Sequence, residues 1–165
     1  MITLEREQEI EVKLKTIAQE LVSVVDKLKF DISIDPSCHS NGDGYGWGHF
    51  LWVYGGTKKT TDFTTTDSTE GIINAMAKCH DVEDIMGIHD IAEKIKSIGI
   101  EIDSICAELM CPVHYNIMYI NNQVCVFVNI LLGQCYQAHN IDEIDGLLAK
   151  CRTERVENER AMLIG

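Results

Sequence analysis

The sequence predicts an α+β domain in which hairpins of antiparallel sheet pack against an N-terminal long helix, a central helix and a C-terminal helix. Three observations predict it: an apolar helical period near the N-terminus, two pairs of β-branched or aromatic runs joined by turn residues, and further helical periods after each pair. A chain of 165 residues suits a single domain, residues 1–165, with a core of its own.

The first helix is predicted from an apolar stripe. Its members recur at spacings of four and three residues: Ile10, Leu14, Ile17, Leu21, Val24 and Leu28. Ala18, Val22 and Val25 widen the stripe, which is typical of a helix lying on its own core. The heptad spacing also suits a seam between two copies, so a homodimer through residues 10–28 is the alternative. Glutamates at positions 5, 7, 9 and 11 suit the positive end of this helix's dipole.

Three strands are predicted next, over residues 30–35, 50–54 and 60–66. We expect Pro36 to end the first strand, because proline supplies no donor to a strand ladder. Gly55 and Gly56 close the second strand, and the threonine-rich third strand is expected to pair with it across that turn.

Helical periods and a second hairpin complete the chain. Asp67 or Ser68 is expected to cap a helix that runs through Cys79. An isoleucine period over 85–98 predicts the next helix, with Gly99 as its natural stop, and residues 102–110 have helical spacing again. The second hairpin joins strands 116–120 and 123–132 through Asn121-Asn122, and the closing helix starts near residue 140 or 142.

An internal resemblance between two helices suggests a duplicated ββα unit. Residues 72–79 and 144–151 can be aligned with four identities in eight positions, and each segment follows a predicted hairpin. The corresponding pseudo-repeat covers 30–80 and 100–152. Helices on similar sheets converge on such patterns, so the fold class does not depend on duplication.

Charge and cysteine content restrict the classes of partner and compartment. A net charge of -12 disfavours direct binding to nucleic acid, which needs Lys and Arg, and disfavours anionic membrane surfaces. It suits a basic protein partner, and between Asp31 and Met110 acidic residues outnumber basic ones. The seven cysteines are an odd number and the N-terminus turns polar at once, so we expect reduced thiols in a cytoplasmic protein without a membrane span.

Residues 41–49 form the most distinctive local segment, with glycine at every second position from Gly42 to Gly48. Glycine lets a ligand approach the backbone closely, and the binding residues predicted here are Asp43, Tyr45, Trp47 and His49. A dinucleotide loop is excluded because a strand follows, and a calcium-binding EF-hand loop is excluded because Phe50 stands where a carboxylate is required. A plain connection between two strands is the rival interpretation.

A second group of candidate binding residues consists of Asp81, Glu83 and Asp84, which could present negative charge to a basic partner. The same carboxylates suit the start of the following helix, which explains them without any binding role.

Metal, cofactor and catalytic sites are predicted to be absent. Structural zinc sites usually contain two short cysteine pairs, and the weak candidates here are Cys106, Cys111 and His114. Cysteines 106, 125, 135 and 151 lie in apolar patterns that suit a core. Covalent catalysis by a Cys–His pair has no local signature in this sequence.

The leading functional hypothesis is a non-enzymatic acidic protein that binds a basic protein surface. An inhibitor that mimics nucleic acid, of the kind made by viruses and mobile elements, fits that description. The alternative is a small-molecule or nucleotide-binding protein that uses residues 41–49. A third hypothesis is a hydrolase that uses histidines and carboxylates between His80 and Asp90.

Overall fold

The computed structural model describes residues 2–41, 44–55, 58–81, 87–132 and 134–164. In chain order the elements are α1 (Leu4–Leu28), β1 (Asp31–Asn41), β2 (Gly44–Gly55), β3 (Thr60–Thr65), α2 (Thr69–Cys79), α3 (Ile88–Leu109), β4 (Val113–Ile120), β5 (Gln123–Leu132), β6 (Gln134–Ala138), a 3-10 turn (Asp142–Ile144) and α4 (Leu147–Ile164). The strands form one antiparallel sheet in the order β3-β2-β1-β4-β5-β6. The predicted α+β class, with its long N-terminal helix, is confirmed.

The α1 helix lies on the sheet through the predicted stripe. Thr3 caps its start by accepting a hydrogen bond from the Arg6 N–H at 3.1 Å, and Lys29 ends it in the left-handed conformation. Every member of the stripe is at most 4% exposed. The Tyr115 hydroxyl of β4 donates to the Leu14 carbonyl at 2.8 Å. Because the stripe is buried in the chain's own core, it is not available for a seam between two copies.

The strands divide their side chains between two faces. The inner face carries the core, and its fully or almost fully buried members include Ile32, Ile34, Leu51, Val53, Val113, Tyr115, Ile117, Val128 and Ile130. The described helices contact the sheet from this side: α1 through Tyr115, α2 through a Cys79 thiol 3.6 Å from the Val53 carbonyl, and α3 through His49. We call the opposite side, whose residues alternate with these, the outer face.

The central helix corrects a prediction. Gly99 does not stop it, and α3 continues from Ile88 to Leu109. The reason is packing, because a Cβ at Gly99 would lie 2.4 Å from the Thr66 hydroxyl oxygen. Glycine is therefore needed here for close helix–strand approach rather than for termination.

The first strand is also longer than predicted, since β1 passes through Pro36 and pairs with β2 as far as Asn41. Pairing with β4 is confined to 32–34. At Pro36 the strand therefore has β2 on one side and no described strand on the other, a position where the missing N–H of proline costs no ladder bond. The turn predicted at Asn121-Asn122 is present, with φ values of 51° and 61°.

The topology is symmetric about the central β1–β4 pair. Each half consists of a helix, three antiparallel strands and a helix, and the strand order runs outward from the centre in both halves. The predicted ββα unit therefore gains a third strand, β3 in one half and the unpredicted β6 in the other. Descent of the two halves from a duplication stays a prediction.

Within the described ranges, no helix has both the length and the apolar character that crossing a bilayer requires.

Candidate functional site

The outer face of the sheet is the candidate site, because the described helices all pack on the other side. It presents large apolar side chains to solvent: Phe63 is 53% exposed, Ile120 45% and Leu131 42%. Phe63 belongs to a contiguous group of aromatic side chains on this face, and contiguous exposed apolar surface is typical of interaction sites.

Four aromatic side chains form a continuous row across β2 and β3, which we call the aromatic row: Tyr54, Trp52, Phe63 and Phe50. Alternation places Phe50, Trp52 and Tyr54 on one face of β2, and the register sets Phe63 opposite Trp52. The Trp52 and Phe63 ring centroids are 4.7 Å apart, those of Trp52 and Tyr54 6.4 Å, and those of Phe50 and Phe63 6.3 Å with the rings edge-to-face. Cross-strand aromatic pairs stabilise the sheet, and here they also present ring surface outward.

A polar cluster on β1, β4 and β5 adjoins the aromatic row. The Asp35 Oδ1 atom lies 2.6 Å from His114 Nε2 and accepts a hydrogen bond from the Ser33 hydroxyl at 3.0 Å. The Asn129 amide donates to His114 Nδ1 at 3.0 Å. The imidazole is therefore held between the Asn129 amide and the Asp35 carboxylate.

Tyr54 connects the row to this cluster. Partial burial and the nearby Asp35 carboxylate raise the pKa of its phenol, and Asp31 adds a smaller effect in the same direction. A hydrogen bond from Ser33 opposes them. The aromatic row therefore ends beside negative charge.

None of the six strands contains Lys or Arg, whereas they contain three aspartates. Asp62 is on the inner side, where Lys78 of α2 lies 3.4 Å away. Asp31 and Asp35 are on the outer face. The described outer face therefore combines aromatic and acidic groups without a strand-borne cation.

A Cys–His–Asp arrangement lies on the inner face. His49 of β2 is bonded through Nδ1 to the Asp103 carboxylate of α3, and its Nε2 is 3.9 Å from the Cys106 sulfur. A nucleophile, a base and an orienting carboxylate occur in this order in cysteine hydrolases. Here the His49 side chain and Cys106 have no solvent exposure, and burial raises the pKa of the Cys106 thiol to about 12. A substrate therefore cannot reach Cys106, and its thiol stays protonated. The arrangement serves packing between α3 and the sheet.

The predicted binding residues of segment 41–49 have different locations. His49 is buried between β2 and α3, as just described, and is not part of the outer face. Tyr45 and Trp47 belong to β2, where their backbones pair with Ser40 and Cys38. Asp43 lies outside the described residues.

Of the predicted acidic group, Asp81 is 60% exposed at the end of α2, with Lys58 3.9 Å from its carboxylate. Glu83 and Asp84 lie outside the described residues. Of this group, the structure describes the position of Asp81 alone.

The weak metal candidates do not converge. Cys106 and Cys111 are buried on the helix side, whereas His114 belongs to the outer face with Asp35. In the part of the chain that the structure describes, no group of three or more His, Cys, Asp or Glu side chains is arranged to hold a metal ion.

Two clefts of about 300 and 240 Å³ lie between α1 and α3. Charges of both signs line each of them, Lys27 with Asp90 in the larger and Lys13 with Glu101 in the smaller. A ligand pocket is typically apolar with a few convergent polar groups, and neither cleft meets that description.

Sequence reasoning missed the residues of the outer face, including Trp52, Tyr54, Phe63, Asp35 and His114. One signal was present: aromatic residues at every second position, 50, 52 and 54, place all three rings on one side of a strand. The polar cluster had no such signal, because Asp35 and His114 are far apart in the chain and meet only through the β1–β4 pairing.

Compared with models of protein families, with curated proteins and with solved structures, the chain has no significant match in any of the three.

Proposed function

We propose that this chain is a non-enzymatic binding protein whose outer face docks a basic segment of a partner protein. One observation carries the proposal: a row of partly exposed aromatic rings ends beside the Asp35 carboxylate, on strands without any Lys or Arg. Aromatic anchors next to carboxylates complement the apolar stems and cationic ends of Lys and Arg side chains.

The charge of the whole chain supports the same partner. A net charge of -12 attracts a basic protein over long distances and speeds its encounter. Affinity would then come mainly from rings that lose water on contact, as interface hot spots do. A partner that itself binds nucleic acid fits well, because its basic surface would meet carboxylates in place of phosphates.

The rival hypotheses receive less support. A small-molecule or nucleotide site in segment 41–49 loses His49, which is buried against α3, and the clefts between α1 and α3 carry charges of both signs. A hydrolase would need an accessible nucleophile or base, and the Cys106–His49 pair is enclosed. Direct binding to nucleic acid is disfavoured by the charge.

The test uses a dye-labelled peptide of twelve residues in which glycine alternates with equal numbers of Arg and Lys. Fluorescence anisotropy should detect binding at low salt that weakens as salt rises, because exposed charges are screened beyond about 10 Å at 0.1 M ionic strength. Trp52→Ala should weaken binding about tenfold or more, as loss of an aromatic hot spot does.

Trp47→Ala is the matched control, since it removes the other tryptophan of the same strand. Retained binding in this variant and loss in Trp52→Ala supports the outer face. The reverse pattern would return the site to segment 41–49. An absence of binding at low salt would refute the proposed function.

A further inference from the structure

The near-parallel rings of Trp52 and Tyr54 form a specific recess in the aromatic row. Their planes are inclined by only 11° and their centroids are 6.4 Å apart. A cation placed against both rings lies within the roughly 6 Å of each centroid at which cation–π attraction is significant. Phe63 packs on Trp52 at 4.7 Å, which supports the indole from β3 and fixes the recess.

The Asp35 carboxylate is linked to this recess through Ser33, which pairs with Trp52 in the β1–β2 ladder and donates its hydroxyl proton to Asp35 Oδ1 at 3.0 Å. Its contacts with Ser33 and His114 both use Oδ1, and 37% of its side chain is exposed. Oδ2 is thus the oxygen that can accept hydrogen bonds from a partner. The His114 imidazole, oriented by Asn129, fixes the carboxylate in this direction.

Resting on the proposed function, we infer that this recess is an arginine subsite that discriminates against lysine. A guanidinium is planar, weakly hydrated and a rigid fork of donors, so it can stack on Trp52 and Tyr54 while donating to Asp35. An ammonium is a compact, strongly hydrated point charge without a flat face. Arginine and lysine carry the same positive charge, but two rings and one oriented carboxylate match the shape of the guanidinium. The recess therefore favours arginine over lysine.

Two dye-labelled peptides of equal length and charge test the inference, one alternating Gly with Arg and the other Gly with Lys. We expect the arginine peptide to bind about tenfold more tightly to the unmodified chain. Asp35→Asn and Trp52→Leu should each reduce that preference to about twofold or less. Leucine retains apolar volume at position 52, so the loss of preference would report the missing ring rather than a collapsed sheet.

Asp31→Asn is the matched control for charge: Asp31 pairs with Tyr54 in the ladder, but its Oδ1 accepts a hydrogen bond from the Tyr119 N–H at 2.7 Å, a role asparagine can also fill. This variant should weaken both peptides alike and keep the preference. Thermal unfolding of each variant verifies that it is folded.

The outcomes separate the inference from the proposed function. Equal binding of both peptides that is lost in Trp52→Ala would overturn the arginine subsite and leave the docking face standing. A preference that survives Asp35→Asn and Trp52→Leu would place arginine recognition elsewhere and overturn the subsite. Binding of neither peptide would overturn both, and binding of adenosine monophosphate instead would favour the small-molecule alternative.

Discussion

Glu11 of α1 holds the first turn of α4: its Oε1 accepts a hydrogen bond from the Leu148 N–H at 3.0 Å, and its Oε2 accepts one from the Gly146 N–H at 3.0 Å. Glu11 is only 9% exposed. It supplies both the acceptors and the negative charge that a helix N-terminus requires. The sequence led us to assign Glu11 to the dipole of its own helix, but the helix that it caps lies at the other end of the chain.

We therefore expect Glu11→Ala to lower the free energy of unfolding by about 1–2 kcal/mol, because it leaves two N–H groups of α4 without acceptors. Urea denaturation followed by circular dichroism measures this. Glu9→Ala is the control, since Glu9 is half exposed and its ion pair with Arg6 should contribute little. Equal effects of the two substitutions would contradict the capping role.

The contact between Gly99 and Thr66 leads to a second prediction. A Cβ at position 99 would lie 2.4 Å from the Thr66 hydroxyl oxygen and 2.8 Å from its Cβ, so α3 or the end of β3 must move. Gly99→Ala should lower the free energy of unfolding by about 1–3 kcal/mol, although alanine is the better helix former.

Ser97→Ala is the control for Gly99→Ala, because Ser97 is an exposed position of the same helix. Its effect should be neutral or slightly stabilising. A Gly99→Ala variant as stable as the parent would mean that the helix can approach the sheet without glycine. Close packing would then not explain why glycine stands in the middle of α3.

Local patterns in the sequence predicted the elements whose cause is local. The stripe from Ile10 to Leu28 predicted α1, and Asn121-Asn122 predicted the turn between β4 and β5 because both residues tolerate positive φ. The prediction that Pro36 ends the first strand was wrong. The missing N–H of proline costs a ladder bond only if a strand lies on the side to which that N–H would point, and here this depends on β4, far along the chain. The outer face was missed for the same reason: which side of β2 stays uncovered depends on where all the helices pack.

Leu21 tests the placement of α1 on the sheet. It has no solvent exposure, so Leu21→Asp would bury a carboxylate without a partner at a cost of several kcal/mol. We expect this variant to be unfolded at room temperature by circular dichroism. Ser23→Asp introduces the same charge at an exposed position of the helix and should retain the fold. A Leu21→Asp chain with an unchanged melting temperature would remove α1 from the core.

The described cysteines differ in environment, and their reactivity should follow it. Cys79, Cys106, Cys111 and Cys151 are buried, whereas Cys125, which the sequence assigned to the core, is half-buried on the outer face. Burial raises the pKa of Cys106 to about 12 and of Cys111 to about 11. At pH 8 these two thiols therefore stay protonated in the folded chain, whereas the thiolate is the reactive form.

Alkylation by iodoacetamide at pH 8, in a Cys38→Ser, Cys135→Ser variant, should therefore label Cys125 first. Mass spectrometry of peptides would follow each site over time. Cys106 and Cys111 should react only after denaturant is added, and then at the rate of ordinary thiols, because unfolding abolishes the burial that raises their pKa values. Cys125→Ser is the control, and it should leave the native protein nearly unlabelled. Rapid labelling of Cys106 in the folded chain would show that solvent reaches the His49 pair, and would restore the Cys–His–Asp arrangement as a candidate catalytic site.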